Sequence, residues 1–580
     1  MLFTKLAEYL QKLEGTASRN EMTVILAELF KESSPDDARL IAYLSAGRLG
    51  PAYNSPDFGI ADMSMLKALG SESKTIFNKL GDLGLVIEQI KSKTQNSKIQ
   101  RNSNIKIQNV YDRLWKIAEV SGIGSQERKQ ELIRKLLDEL DPVSAKYVVK
   151  IILGKLRTGF SDMTVLDSLS WMMAGDKSLR KNIENIYNVR ADLGEVAMLV
   201  KDSKTLNFKN SNIGPEIGTP VLMAKAERAS NSAEIWERNG ECAVEYKLDG
   251  LRIQAHISKS QILNSNIQIN SKLQNSNIKL FSRGLENVGH MYPDICAGLA
   301  EQVKEDCIVE GEMIAVDKNG KVLAFNKTMN RKRKYGIEDK ILEIPMKIFL
   351  FDVLWLKNKS LINLPNNKRW ECLEKLVKKG EIVELMPRII AKSTNEIDEF
   401  FQKSLKEGME GIVAKRLDAP YTPGNRDFSW IKMKTTLDSV DVVVMGYSVG
   451  EGKRTGFGIG EFLVGVYEPK SDKFLTVSKV GSGATDAEWV KLRKELEKLK
   501  VDKKPERYDV AKQYEQNFWV RPQLVLEIVA NEISVSPGHT SGYGLRFPRL
   551  ISWREKKPED ATTVSEIKSM YTSIRMAGEN

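Results

Sequence analysis

Lys247-Leu248-Asp249-Gly250-Leu251-Arg252 is the stretch from which the rest of the chain is read. An alternating, strand-like run from Cys242 to Tyr246 delivers Lys247 to a turn, and Asp249-Gly250 makes that turn tight. The chain leaves as a second alternating run, Arg252 to Ser258. A primary amine fixed at a strand end, with an arginine five residues on, suits attack on a phosphorus atom. Alone the hexapeptide is a modest signal that chance also produces. Its weight comes from the residues downstream of it in the chain.

The chain has 580 residues, too many for one hydrophobic core, and predicts about three domains. Its 41% hydrophobic and 28% charged residues are those of a globular protein. No apolar run reaches the roughly 18–20 residues of a membrane span. The start, Met1 to Glu8, reads as an amphipathic helix rather than a signal peptide, so an intracellular, non-secreted protein is expected. Cys242, Cys296, Cys307 and Cys372 are scattered and read as single buried thiols. With His256, His290 and His539 the only histidines, a zinc site is disfavoured and a hard cation on oxygen ligands is expected instead. The net charge of +11 favours a polyanionic partner, although ordinary basic solubility would also produce it.

Residues 1–210 read as helices. Ser34-Pro35-Asp36-Asp37 and Asp141-Pro142 look like capped helix starts, and Leu132, Ile133, Leu136, Leu137 and Leu140 form a core stripe. Lys155, Arg157, Thr158 and Gly159, followed by Ser161 as a helix cap, place cations near free helix-start N–H groups, a combination that suits a phosphodiester. From about 211 the period changes to two, with strand-like runs at 242–247, 252–258, 278–283, 307–316, 346–356, 410–416 and 428–434. After 436, short strands and glycine turns fit a small β-barrel. Two Asn/Ser/Gln-rich segments, Lys93–Val110 and Ser258–Lys279, share Asn-Ser-Asn-Ile and read as related insertions, extended loops or a lengthened hairpin, without chemistry.

Further along, Phe281-Ser282-Arg283 ends a strand with a cation. Glu310 and Glu312 share one face of an apolar strand, where like charges are costly unless a cation or a sugar hydroxyl meets them. Phe351-Asp352 offers a ring to a flat base. Glu410-Gly411-Ile412-Val413-Ala414-Lys415 ends in a lysine, and after Arg426 the run Trp430 to Lys434 puts Lys432 and Lys434 on one face.

In that order the motifs resemble the covalent nucleotidyltransferases, and the whole chain resembles replicative ATP-dependent DNA ligases of the archaeal and eukaryotic type. Leu156-Arg157-Thr158-Gly159 resembles that family's DNA-binding signature. Gly452-Lys453-Arg454, Lys479 to Gly483 and Leu545 to Arg549 resemble its OB domain. The resemblance implies an all-α DNA-binding domain at 1–210, an α+β adenylation domain at 211–436 and a β-barrel OB-fold domain at 437–580, with a flexible joint near 435–440. It implies that Lys247 carries AMP. Glu245 and Arg252 would meet the adenine and ribose, Arg283 a phosphate, and Phe351 the adenine face. Glu312 would serve the metal or the ribose, and Glu410 would be a second metal-site acid. Lys415, Arg426, Lys432 and Lys434 would hold the α-phosphate and the leaving pyrophosphate. Neighbouring cations (Arg252, Arg283, Lys415, Lys432 and Mg²⁺) would activate Lys247 by disfavouring its ammonium form.

The implied cosubstrate is ATP with Mg²⁺ or Mn²⁺. The implied substrate is nicked duplex DNA, sealed by a monomer in replication, repair and recombination. A sliding clamp is a further expected partner, and a prokaryotic location would be the cytoplasm and nucleoid. One position departs from the family pattern R-x-D-K, which reads Arg554-Glu555-Lys556-Lys557 here, with Lys556 at the expected acid. An NAD⁺-dependent ligase would bring zinc-binding cysteines. An RNA ligase or capping enzyme gives no reason for the helical region in front, and a non-enzymatic DNA-binding protein gives none for the lysine–glutamate–lysine series.

Overall fold

The computed structural model describes residues 1–16, 18–93, 104–156, 161–203, 213–259, 277–323, 325–331, 337–434, 439–449, 458–530 and 532–578. It forms two compact units, Met1–Leu222 and Met223–Asn580.

The first unit is helical, from Phe3–Glu14 to Leu193–Asp202. Both capped starts form as expected: Ser34 Oγ accepts from the Asp37 N–H at 3.2 Å, and Asp141 Oδ1 accepts from the Ser144 N–H at 2.9 Å. The leucine stripe is narrower than its periodicity suggests. Ile133, Leu136, Leu137 and Leu140 are buried, but Leu132 is 36% exposed because five apolar residues overfill the face this helix turns inward. The expected loop 93–110 also shrinks: Lys93 ends one helix and Ile107 opens another, whose Ile107, Val110 and Leu114 are buried at helical spacing. The rest of that segment, 94–103, lies outside the described residues, as do 260–276 of the second.

The second unit is strand-rich. Its first part comprises β1 (Lys225–Arg228), β2 (Cys242–Lys247), β3 (Leu251–Ile257), β4 (Ile278–Ser282), β5 (Cys307–Ala315), β6 (Met346–Leu356), β7 (Lys359–Ser360), β8 (Val383–Leu385), β9 (Arg388–Ala391), β10 (Gly411–Arg416) and β11 (Arg426–Lys434). These make a five-stranded sheet in the order β1-β11-β10-β2-β9 and a six-stranded sheet in the order β4-β3-β5-β6-β7, with β8 on β6. The Leu248–Gly250 turn therefore carries the chain from one sheet into the other. Gly250 is required there, because a Cβ would lie 2.4 Å from the Met313 carbonyl oxygen.

The rest holds β12 (Val440–Ser448), β13 (Glu461–Glu468), β14 (Lys473–Val480), β15 (Lys500–Val501), β16 (Tyr508–Asp509), β17 (Phe518–Val520), β18 (Val525–Val529), β19 (Glu532–Val535), β20 (Tyr543–Arg546) and β21 (Arg549–Arg554). An eight-stranded sheet runs β15-β17-β12-β13-β14-β16 with β18 joining β12 to β21, and β19 pairs with β20. A final helix, Val564–Gly578, packs Ile567 and Met570 into this core. Positions 435–438, in the expected joint, and Gly452-Lys453-Arg454 lie outside the described residues. The cysteines are free, with Cys242, Cys296 and Cys307 buried. Among the described residues, no helix is long and apolar enough to cross a membrane.

Candidate active site

A cavity of about 750 Å³ opens where the two sheets of the first part meet and the strand-rich remainder closes over them. Strand alternation aims Glu245 and Lys247 of β2 into it, together with Lys415 of β10 and Lys432 and Lys434 of β11. The second sheet contributes Arg252, Glu312 and Phe351.

One end suits a flat base. The Phe351 and Trp430 rings meet edge to face at 6.0 Å, and the Lys415 ammonium lies 4.5 Å from the first centroid and 4.2 Å from the second. Lys415 donates to the Phe351 carbonyl at 3.2 Å and pairs with Glu245 Oε2 at 2.6 Å. Burial pushes the Lys415 pKa down and the Glu245 pKa up, and each group opposes the other's shift. Lys415 is thus held beside both rings by Glu245 and the Phe351 carbonyl. Glu245 Oε1 is buried without a hydrogen bond among the described residues, with Arg388 4.0 Å away. Arg252 donates to the Ala224 carbonyl at 2.6 Å and to Glu310 Oε2 at 2.7 Å, and its guanidinium lies 5.4 Å from the Phe351 centroid. Glu310 is fully buried and also accepts from Gln254 at 3.1 Å.

At the other end Lys247 donates to Glu410, whose second oxygen accepts from Lys434 at 2.7 Å. Burial alone would raise the Glu410 carboxyl, but the two lysines outweigh it and hold it at about 2. The Glu312 carboxyl makes no hydrogen bond or ion pair among the described residues, and burial raises it to about 7 against the pull of Lys247 and Arg252. The cations expected around Lys247 each have an acid beside them, Lys432 with Glu566 at 4.0 Å. Arg252 is held by Glu310 and Lys415 by Glu245, while Arg283 lies 3.8 Å from Asp560. The charge touching Lys247 is the Glu410 carboxylate, because each half-buried cation needs a counter-charge of its own.

Lys432 is depressed to about 7, by burial first and then by Arg426, Lys556 and Lys247, against the pull of Glu566. Glu566 pairs with Arg426 at 2.6 Å and stands 4.0 Å from Lys432. Asp560 pairs with Lys225 at 2.5 Å. Arg554 bridges Asp441 at 3.2 Å and Glu527 at 2.7 Å, and Lys556 also donates to Asp441. Asp441, Asp560 and Glu566 are not singled out by the motif reading. Asp441 alone carries a local signal, as an acid within the valine run of β12.

In the helical unit Lys155 pairs with Asp62 at 2.6 Å, while Arg157, Thr158 and Gly159 lie outside the described residues. Phe547 is 73% exposed at a φ of 53°, between the exposed Arg546 and Arg549.

Three family models match the chain: "DNA ligase N terminus" over residues 2–170, "ATP dependent DNA ligase domain" over 223–434 and "ATP dependent DNA ligase C terminal region" over 455–557. A probable DNA ligase of Dictyoglomus turgidum is 39% identical over 98% of this chain and 97% of its own length. A DNA ligase of Sulfurisphaera tokodaii is 36% identical over the same shares. A solved structure of mycobacterial DNA ligase D complexed with ATP and MES covers 59% of this chain and 98% of that one, at 24% identity and a TM-score of 0.34. A nucleotide-sized cavity with a lysine at the sheet junction, and relatives matched end to end, lead to one conclusion: the chain belongs to the ATP-dependent DNA ligases.

Proposed function

We propose that Lys247 carries AMP and that the cavity around it runs the adenylation half of nick sealing. The observation that carries this reading is the position of the Lys247 amine between a base-sized aromatic end and a set of cations paired with carboxylates. Adenine would lie against Phe351, with Glu245 Oε1, which makes no hydrogen bond among the described residues, accepting from its amino group. Arg252 would meet the ribose. Arg283, Arg426, Lys432, Lys434 and Arg554 would take phosphates, and Lys415 would brace the base end.

Glu312 and Glu410 are the donors we assign to Mg²⁺ or Mn²⁺. No group of three or more His, Cys, Asp or Glu side chains is placed to hold a metal among the described residues. Mg²⁺ fits nonetheless, since it commonly takes one or two carboxylates plus substrate phosphates, and the Glu312 carboxyl has no hydrogen-bond or ion-pair partner among the described residues. Bound there, the ion supplies charge neutralisation on the phosphates.

The reaction then runs in three transfers. The Lys247 nitrogen bonds to the α-phosphorus of ATP and the bond to the β-phosphate oxygen breaks, releasing pyrophosphate and an amine proton. AMP then passes to a DNA 5′-phosphate. A 3′-hydroxyl displaces AMP and seals the nick. We assign DNA binding to 1–210, adenylation to 211–436 and an OB-fold to 437–580, which would move between steps about the joint near 435–440. Lys155, Arg157, Thr158 and Gly159 would contact DNA phosphates. Phe547, exposed on a backbone costly for a side chain and flanked by arginines, suits a minor-groove contact. The chain would act as a monomer on nicked duplex DNA in the cytoplasm, with a sliding clamp as a further partner.

The test is incubation with α-labelled ATP and Mg²⁺. The chain should take an acid-labile phosphoramidate label that Lys247→Ala lacks, and should seal nicked DNA in preference to nicked RNA. Equal labelling of Lys247→Ala would end the reading.

A further inference from the structure

We propose that Arg388 sets the base selectivity of the nucleotide site from behind, by holding Glu245 as a charged carboxylate. This rests on the reading above that lays adenine against Phe351 and Glu245. Arg388 is not among the residues that line the cavity, so it is a positioning residue that acts through Glu245.

β2 runs between β9 and β10, and Glu245 has a cation on each side. Arg388 of β9 stands directly across from it in the antiparallel pairing. On the other side Val413 of β10 stands across from Glu245, and Lys415, two residues along, shares the face of Val413. Lys415 takes Glu245 Oε2 at 2.6 Å, which leaves Oε1. Arg388 Nη1 faces Oε1 at 4.0 Å, and both atoms are buried without a hydrogen bond among the described residues. That distance is too long for a hydrogen bond, yet short enough for strong attraction where both side chains are nearly closed to solvent. Arg388 therefore stabilises charge on Glu245 and leaves Oε1 open to a ligand. The Trp370 ring, 4.2 Å from the guanidinium carbon, keeps Arg388 in that place.

The protonation state of Glu245 decides which base edge it can meet. A carboxylate only accepts hydrogen bonds, whereas a carboxylic acid also donates one. The charged form suits the 6-amino group of adenine and repels the 6-oxo group of hypoxanthine. The protonated form would donate to that oxo group. Burial raises the Glu245 carboxyl, Lys415 and Arg388 pull it down, and Asp352 of β6 adds to the rise. Asp352 is itself taken up by Arg369. Without Arg388, Lys415 alone opposes burial, and Glu245 shifts toward the acid that tolerates the wrong base.

The experiment measures kcat/KM for self-adenylation of the full chain with ATP and with inosine triphosphate between pH 6 and pH 8. The wild type should favour ATP by a ratio that hardly changes with pH. In Arg388→Met the ratio should fall roughly tenfold, the equivalent of one pKa unit of lost charge stabilisation. It should recover as pH rises and Glu245 ionises. Arg388→Lys keeps the charge and should keep most of the ratio. Should Arg388→Met not fold, Trp370→Leu, which only loosens the guanidinium, should lower the ratio by a smaller factor. Equal losses with both triphosphates in Arg388→Met, or an unchanged ratio in Trp370→Leu, would overturn the role of Arg388 alone. A wild type labelled equally by both triphosphates would overturn the placing of adenine on Glu245, and one labelled by neither would overturn the lysine-adenylation reading itself.

Discussion

Glu410 holds Lys247 twice: its backbone N–H donates to the Lys247 carbonyl at 3.0 Å, and its carboxylate accepts from the Lys247 side chain. The second oxygen accepts from Lys434, so one acid fixes both lysines together. The close approach depends on Gly411, where a Cβ would lie 2.1 Å from the Met433 carbonyl oxygen at a φ of +153°. Glu410→Gln keeps the backbone link and removes the charge. It should slow Lys247 labelling by roughly 10²-fold, the scale seen when one electrostatic group leaves an active site. Single-turnover labelling within about threefold of wild type would contradict that role.

The pH dependence of self-adenylation should be a narrow bell. Glu312, raised to about 7, is neutral below that pH and cannot serve a cation, so activity rises as pH climbs through 7. Lys432, lowered to about 7, loses its charge above that pH and with it its grip on phosphate. The kcat/KM for ATP, which reports the free enzyme, should therefore peak near pH 7. Lys432→Gln should remove the alkaline limb and keep the acid one. A profile still falling above pH 8 in that variant would assign the limb to another group.

Stability should hinge on a buried pair below Phe351. Arg369, fully buried, makes two hydrogen bonds to Asp352, at 2.7 and 2.9 Å. Asp352→Ala strands that guanidinium and should cost about 3–5 kcal/mol. The exposed Lys368–Glu371 pair, on the same helix as Arg369, should cost under about 1 kcal/mol when broken. Denaturant melts of both variants check the contrast, and similar losses would refute it.

What the sequence discloses is local. The alternation that aims Lys432 and Lys434 into one cavity, and the turn that exposes Lys247, are written in neighbouring residues, and both survive in the fold. The partners of these groups are not local. Glu410 lies 163 residues from Lys247, and Asp441 lies 115 from Lys556. Such pairs are chosen by which strands meet, and no periodicity reports that. Lys415 shows the same limit: the pattern gives the face it points to, but only the packing of β10 against β6 and β11 seats it between two rings.

Phe547 offers a way to separate DNA grip from chemistry. Its exposed ring, flanked by Arg546 and Arg549, would be buried by a duplex. Phe547→Ala should weaken binding of nicked DNA by roughly tenfold, within the range of removing one stacking aromatic. Self-adenylation needs no DNA and serves as the control. Unaltered nick affinity would remove Phe547 from the DNA surface.

Glu566 occupies two of the cations that the proposed reading assigns to the triphosphate. It pairs with Arg426 at 2.6 Å and stands 4.0 Å from Lys432, and these two cations hold it at about 2 against its burial. On that reading ATP displaces this carboxylate, and its affinity is net of breaking the pair. Glu566→Gln weakens the competitor and should lower the KM for ATP in self-adenylation several-fold. It has a second, opposite effect. Glu566 raises the Lys432 pKa, so its loss lets burial, Arg426 and Lys556 drive that pKa lower still. The alkaline limb of the pH profile should move to lower pH in Glu566→Gln, and the gain in KM should be largest below pH 7. A KM that improves equally at pH 6 and pH 8 would mean that Glu566 competes for Arg426 alone and leaves Lys432 untouched.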